Sequence, residues 1–453
     1  MTSTTGSALA AHEAIPKKKV VAWAFWDWGT QPFATVITTF VFAVYITSSA
    51  FGQENQTSIA MSISTGIAGL GIALLAPVLG QSSDRHGLRM ASLKWATWAI
   101  AVTSAALFFV KPDPAYLWLG LGLMGVGAII AEIANVNYYA LLDEIATPEN
   151  VGKVSGFGWG MGYLGGIVML LVIYFGFIQP EVGLFGITSD QAMDIRVSML
   201  LCGVWTLLFT IPLFLSIKDG SRPPRVEHRG LAEAYRALFR SISRLWRTSR
   251  HTVYFLLASA LYRDGLAAVF IVGGVIAAGT FGLSTGDVIV FGAVANVVAG
   301  VATILIGYLD DRLGPKFVIM VSLALLVGLG LVIFFFGRMA ATGTLDEAGS
   351  RQAFWVLGLL MTVFVGPAQS ASRSFLARLV PEGKAGELFG LYVTTGRAVS
   401  FFGPTMFGLA IMLGGWLTGS DKTQYWGILG VVVVLLAGAL VMIPVKAPKT
   451  FST

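Results

Sequence analysis

The sequence predicts an all-α polytopic membrane protein with twelve transmembrane helices in two pseudo-symmetric six-helix bundles. Three observations predict it. The 453-residue chain is 55% hydrophobic and 12% charged, whereas a soluble domain carries about 25% charge. Its apolar residues gather in stretches that reach the roughly 20 residues a helix needs to cross a bilayer. A polar loop also occurs twice, almost half a chain apart. Gly80-Gln-Ser-Ser-Asp84-Arg85-His-Gly87-Leu-Arg89 returns as Gly307-Tyr-Leu-Asp-Asp311-Arg312-Leu-Gly314-Pro-Lys316. Each copy joins two long apolar stretches, as expected of a duplicated transporter half.

In chain order, residues 1–19 form a polar tail ending in Lys17-Lys18-Lys19. The first bundle, 20–217, holds expected spans at 20–47, 58–80, 90–110, 115–142, 153–178 and 196–217. A basic linker occupies 218–251. The second bundle, 252–444, holds spans at 252–279, 285–308, 316–337, 352–378, 387–413 and 424–444, and 445–453 form a second tail. The first apolar stretch is too long for the core of a cleavable signal. Gly29-Thr30-Gln31-Pro32 is expected to interrupt span one, and Gly366-Pro367 span ten. The glycines of 152–166 on span five suit close helix packing.

An even number of spans leaves both tails on one side, and Lys and Arg choose the side. With Lys17–Lys19 inside, the outer loops hold only Lys111, Arg196, Arg338, Arg351 and Lys422 of the 30 basic residues. Both tails are therefore expected in the cytoplasm. Within the linker, Leu231, Tyr235, Leu238, Ile242 and Leu245 fall at helical spacing, with Arg236, Arg240, Arg244 and Arg247 on other faces. Residues 229–250 read either as an amphipathic helix on anionic lipid headgroups or as a solvated tether. The net charge of +6 follows from this loop bias and does not indicate nucleic acid.

The repeat extends beyond the loops. Span four and its exit align with span ten: Asn135 with Gln369, Glu144 with Arg378, Gly152 with Gly386, Gly156 with Gly390 and Gly162 with Gly396. Asp27 of span one aligns with Asp264 of span seven.

These residues resemble the major facilitator superfamily, whose conserved loop (Gly, three residues, Asp-Arg, one residue, Gly, one residue, Arg or Lys) both copies follow. Further stretches are similar to its UMF group, which includes the fungal vacuolar amino-acid effluxer of autophagy. They are Trp23-Ala-Phe-Trp26-Asp27-Trp28, Leu142-Asp143-Glu144-Ile145-Ala146, Val154-Ser155-Gly156-Phe157-Gly158-Trp159, Tyr262-Arg263-Asp264-Gly265 and Gln369-Ser-Ala-Ser372-Arg373-Ser374. Arg263 departs from the group, which usually has Asn there. Span four has Glu132 as its ionisable residue and lacks the arginine of many proton-coupled members. The resemblance implies alternating access, a solute site between the halves, and a gate formed by Gly80, Asp84, Arg85, Gly87, Arg89, Gly307, Asp311, Arg312, Gly314 and Lys316. Topology setting by the basic residues alone is the alternative for those loops.

A charge inside hydrocarbon costs at least about 2.5–3.5 kcal/mol, so it faces a partner or a wet cavity. Asp27, Glu132, Arg263, Asp264, Arg373 and Arg397 are such charges. Asp27 reads either as a titrating cavity carboxylate or as part of an aromatic belt with Trp23, Trp26 and Trp28, pairing with the opposite half. Glu132, near Asn135 and Asn137, reads as a proton or solute site or as a paired structural glutamate. Arg263 reads as a ligand for a carboxylate or phosphate, or as an ion-pair partner of Glu132. Arg373 is placed as a gate or a headgroup contact. Gln31, Gln369 and Arg397 complete the candidate solute and proton site.

Cys202 is the sole cysteine, and His12, His86, His228 and His251 are scattered. No disulfide, metal site or cofactor is expected, and no phosphate loop or nucleophile motif points to an enzyme. The expectation is a monomeric secondary transporter in a bacterial plasma membrane that moves a small organic solute, such as an amino acid, outward with proton coupling. An exporter of lipid or amphiphile is the alternative within the fold, and a receptor or scaffold the alternative outside it.

Overall fold

A computed structural model describes residues 16–52, 89–217, 249–283, 285–380, 385–420 and 422–446, with parts of 57–75 and 236–247. Among these, 11 helices are long and apolar enough to cross a membrane, and a shorter apolar helix lies at Ile63–Ile72. The first half contributes α1 Lys17–Ile46, α2 Ile63–Ile72, α3 Arg89–Phe109, α4 Pro114–Ile145, α5 Val151–Ile178 and α6 Asp190–Ser216. The second contributes α7 Arg250–Gly279, α8 Thr285–Leu313, α9 Pro315–Ala341, α10 Glu347–Leu379, α11 in two segments, Ala385–Ala398 and Phe402–Thr418, and α12 Gln424–Met442. The protein is an integral multi-pass membrane protein. Gly80, Asp84, Arg85, Gly87 and most of the 229–250 segment lie outside the described residues.

Helix direction alternates along the chain, so Lys17, Arg89, Lys153, Arg250, Lys316 and Arg378 gather at one end of the bundle, here termed the basic end. Lys316 Nζ donates to the carbonyls of Ile443 (2.8 Å) and Val445 (2.6 Å), which fastens the last turn of α12 to the start of α9. A cation is favoured there because the final carbonyls of a helix lack partners. Gly314, at φ +85°, makes the left-handed corner between α8 and α9.

Proline acts differently at its two expected breaks. In α1 the helix passes Pro32 and widens into π-type turns over Phe33–Phe40, then returns to α at Phe42–Ile46. In α10 the helix runs without interruption through Pro367. The missing N–H there removes one bond, while the flanking turns are held by packing on α8. The actual break in the second half is in α11, between Ala398 and Phe402, two residues before Pro404.

The halves meet most closely where α5 lies along α8. A Cβ on Gly156 would stand 2.7 Å from the Thr303 carbonyl oxygen and 3.0 Å from the Gly307 Cα, and one on Gly160 would stand 2.7 Å from the Gly300 carbonyl oxygen. Those neighbours are backbone and cannot swing aside. Small residues permit such approach in membrane helices, where dispersion contacts replace the hydrophobic effect.

Gly156→Ala should therefore part α5 from α8 at the basic end, at about 1–3 kcal/mol of overpacking. Spin labels at the exposed Lys153 and Arg312 should report a longer distance in a larger fraction of molecules, with Cys202 buried and silent. An unchanged distance distribution would show that the crossing tolerates a methyl group.

Candidate functional site

Two adjoining cavities open in the bundle, the larger between the halves and the smaller lined by residues of the first half alone. The larger, about 580 Å³, is walled by Phe40, Val269, Phe270, Phe291, Phe354 and Met361 among others, with Gln31, Thr35, Asn296 and Thr362 as polar points. These residues come from the parts of α1, α7, α8 and α10 remote from the basic end. The smaller, about 170 Å³, is lined by Asp27, Thr30, Gln31, Asn135, Tyr139, Trp159 and Tyr163 with apolar neighbours. Gln31, Ala34 and Tyr163 are common to both.

The basic end is shut by contacts across the halves. Asp311, at the end of α8, accepts from the backbone N–H groups of Gly152 (2.7 Å) and Lys153 (3.0 Å) in the first turn of α5. Those N–H groups have no helical acceptor of their own, and a carboxylate there also meets the positive end of the helix dipole. Arg378 of α10 pairs with Asp310 (2.7 Å) and Asp311 (3.2 Å), and its Nε donates to the Pro148 carbonyl of the first half (3.1 Å). Ser374 also donates to Asp310. The Ser155 hydroxyl donates to the Ser370 carbonyl at 2.8 Å, which ties α5 to α10.

Behind this seal, Arg373 is 1% exposed. Its Nε and Nη2 donate to the Ser155 hydroxyl (3.1 Å) and carbonyl (2.6 Å), and its Nη1 lies 3.6 Å from Asp27. The guanidinium faces the rings of Trp23, Tyr138, Tyr139 and Trp159 at 5.0–5.9 Å from their centroids. The Tyr138 ring is itself stacked on Trp23 and Trp26, at 4.4 Å and 4.2 Å. Its hydroxyl donates to Asp27 at 3.3 Å.

A second charged contact joins the halves through α4 and α11. Arg397 pairs with Glu132, whose other oxygen accepts from Asn135 Nδ2 at 3.4 Å. Arg263 places its guanidinium over Tyr392, 3.9 Å from the ring centroid, and donates to the Tyr392 carbonyl at 3.3 Å.

The structure thus brings Asp27, Gln31, Glu132, Asn135, Arg373 and Arg397 to the inter-half surface and places other sequence candidates elsewhere. Asn137 is buried against α3, donating to Ser92 (3.4 Å) and the Ile133 carbonyl (3.0 Å). It stands two residues after Asn135, about 200° around the helix, and so faces away from the cavity. Asp264 is also buried within its own half, accepting from the Gly403 N–H where the second segment of α11 starts. Its carboxylate caps that broken helix. Glu132 takes Arg397 as its partner, where Arg263 had been the alternative. Arg373 is too deeply enclosed to touch headgroups, and Trp23 and Trp26 are buried, so they form no interfacial belt.

In the loop copies, Arg89 stays inside the first half, reaching Glu144 (2.8 Å) and the Ala140 carbonyl (3.1 Å). Lys316 likewise stays in its half. Arg312 is exposed and forms no ion pair among the described residues. Gly307 sits at the crossing with α5, and Gln369 is half-buried beside Ser370. Sequence reasoning alone misses Asp310, Ser155, Tyr138 and Tyr139 as interface residues. The doubled Asp310-Asp311 and doubled Tyr138-Tyr139 are the signals that carry them.

The family model described as vacuole effluxer Atg22 like matches residues 43–450. The Bacillus subtilis (strain 168) MFS-type transporter YxiO is 26% identical over 423 residues, covering 92% of this chain and 93% of that protein. Autophagy-related protein 22-1 of Neosartorya fischeri is 26% identical over 274 residues, covering 57% of this chain and 43% of its own length. The match therefore spans less than half of that fungal relative. Among solved structures, a bacterial homologue of the iron transporter ferroportin in an outward-facing state aligns with TM-score 0.66 at 17% identity, covering 94% of this chain and 98% of that one. The proton:xylose symporter XylE aligns with TM-score 0.68 at 16% identity, covering 96% of each chain. At these identities the likeness shows the fold alone, that of the major facilitator superfamily.

Glu132 and Arg397 should be coupled, because removing one leaves the other a partly exposed, unpaired charge at membrane depth. In a double-replacement cycle with Glu132→Gln and Arg397→Gln, the double variant should melt closer to the parent than additivity allows, by about 0.5–3 kcal/mol of coupling. Additive melting shifts would show that the pair contributes nothing as a pair.

Proposed function

The chain belongs to the Atg22-like vacuole effluxer family, and on that premise we propose that it is a secondary transporter that exports a small organic solute by alternating access with proton linkage. One observation carries the reading. The halves are sealed at the basic end by Asp311, Arg378 and Arg373, while a cavity of about 580 Å³ stands between them toward the other end. One closed end and one cavity-bearing end is the arrangement of a single state in a rocking cycle. Opening the basic end requires the same contacts to part.

Amino acids are the proposed solute class, on the strength of the resemblance to the vacuolar effluxer. Asp27, Gln31, Thr30 and Asn135 supply polar contacts in the inner cavity, and the larger cavity supplies apolar walls. Protonation is assigned to Glu132 and Asp27, each held by a guanidinium across the halves. Neutralising either carboxylate frees an arginine and loosens the interface, which links proton binding to conformation. The positive-inside bias puts the basic end in the cytoplasm, and a bacterial plasma membrane is the proposed location. A monomer is the proposed assembly. The mostly apolar lining of the larger cavity favours a second reading, an amphiphile exporter of the same fold.

Proteoliposomes loaded with labelled amino acids should show efflux driven by a pH gradient. Glu132→Gln should abolish the pH-driven component and retain exchange of solute for solute. Flux of lysolipid alone would move the assignment to the second reading. Absence of flux for every solute class, with folded protein, would remove transport altogether.

A further inference from the structure

We propose that the pocket filled by Arg373 is a binding site for an organic cation, an ammonium or guanidinium group of the transported solute, and that Arg373 is its tethered occupant. The inference rests on the alternating-access reading and goes beyond it by naming the charge that the site accepts.

The ownership of the contacts is the first observation. Arg373 belongs to α10 of the second half, yet Trp23, Asp27, Tyr138, Tyr139, Ser155 and Trp159, which surround its guanidinium, all belong to α1, α4 and α5 of the first half. The socket is complete without the second half. When the halves part at the basic end, Arg373 leaves with α10, and four aromatic rings with one carboxylate stay behind. Aromatic faces around a carboxylate are the arrangement that recognises ammonium and guanidinium ions, and such contacts strengthen as water is excluded.

The fit of the tethered arginine is the second observation. Its Nη1 is buried and makes no hydrogen bond among the described residues, and its contact with Asp27 is long at 3.6 Å. An untethered cation is free to approach the carboxylate more closely. Access is the third. Asp27, Tyr139 and Trp159 line the inner cavity as well as the socket, so a solute in that cavity already faces the socket wall. A cation that replaces Arg373 offsets the cost of emptying the socket, so it favours the state open at the basic end through its differential affinity for that state.

The test uses the full-length purified protein, with tetramethylammonium chloride as probe and sodium chloride at equal ionic strength as control. Arg373→Ala empties the socket and leaves the cage intact. Tetramethylammonium should raise its melting temperature and quench its tryptophan fluorescence with saturation. The response should be lost in Arg373→Ala with Asp27→Asn. A folded Arg373→Ala protein that responds to tetramethylammonium no differently from sodium overturns the proposal. Should Arg373→Ala fail to fold, Asp311→Asn keeps the arginine and weakens the seal. It should half-saturate at about tenfold lower tetramethylammonium than the parent, and equal midpoints overturn the proposal. These are equilibrium titrations, so they decide the socket even if no solute is transported. Transport of amino acids without any cation response would remove the socket alone.

Discussion

The closeness of α5 and α8 is the constraint on which the rest of the interface depends. Glycines at 156, 160, 300 and 307 let two backbones come within van der Waals reach of each other. At that spacing Asp311 reaches the first turn of α5, and α10 comes near enough for Ser370 and Arg373 to engage Ser155. Wider spacing would leave each of these groups facing an apolar gap, which hydrocarbon does not permit without loss. One steric condition thus sets several polar contacts at once. Such a surface favours being wholly closed or wholly open over any intermediate.

Charge follows the repeat, but with its sign exchanged. At the exit of α4, Glu144 binds Arg89, and at the matching exit of α10, Arg378 binds Asp310 and Asp311. In the first half the pair closes within the half. In the second, the arginine has spare donors and spends one on Pro148 across the interface. The duplicated frame is therefore symmetric in backbone and asymmetric in reach. The same holds deeper in the bundle, where Asp27 faces the opposite half and its counterpart Asp264 caps a broken helix in its own.

The fold was largely legible because length, apolar runs and a repeated loop are properties of the chain itself. Expected and observed helices agree closely for the eleven long spans, and the pattern of basic residues coincides with one end of the bundle. The site was legible only as a set of charges inside the membrane. Sequence identified Asp27, Glu132, Arg373 and Arg397 as needing partners, and could not say which partners, because pairing depends on rotation about each helix axis. Asn137 illustrates this: two residues' displacement, about 200°, separates its buried position from the cavity-lining Asn135. The proline signals were equally ambiguous. Pro32 and Pro367 look alike in sequence, but only the first disturbs its helix, since the second is braced on α8.

The π-type turns of Phe33–Phe40 bear on how α1 tolerates change in chain length. A π turn holds about one residue more than an α turn. The segment thus stores a surplus residue between the inner part of the helix, which carries Asp27, and the outer part, which carries Phe42 and Tyr45. Loss of one residue there would be absorbed as ordinary helix, with both flanking faces kept in register. The same loss in α5 or α8 would turn the glycine face away from its partner. Insertions and deletions among related chains should therefore accumulate in this stretch of α1 and be excluded from the crossing helices.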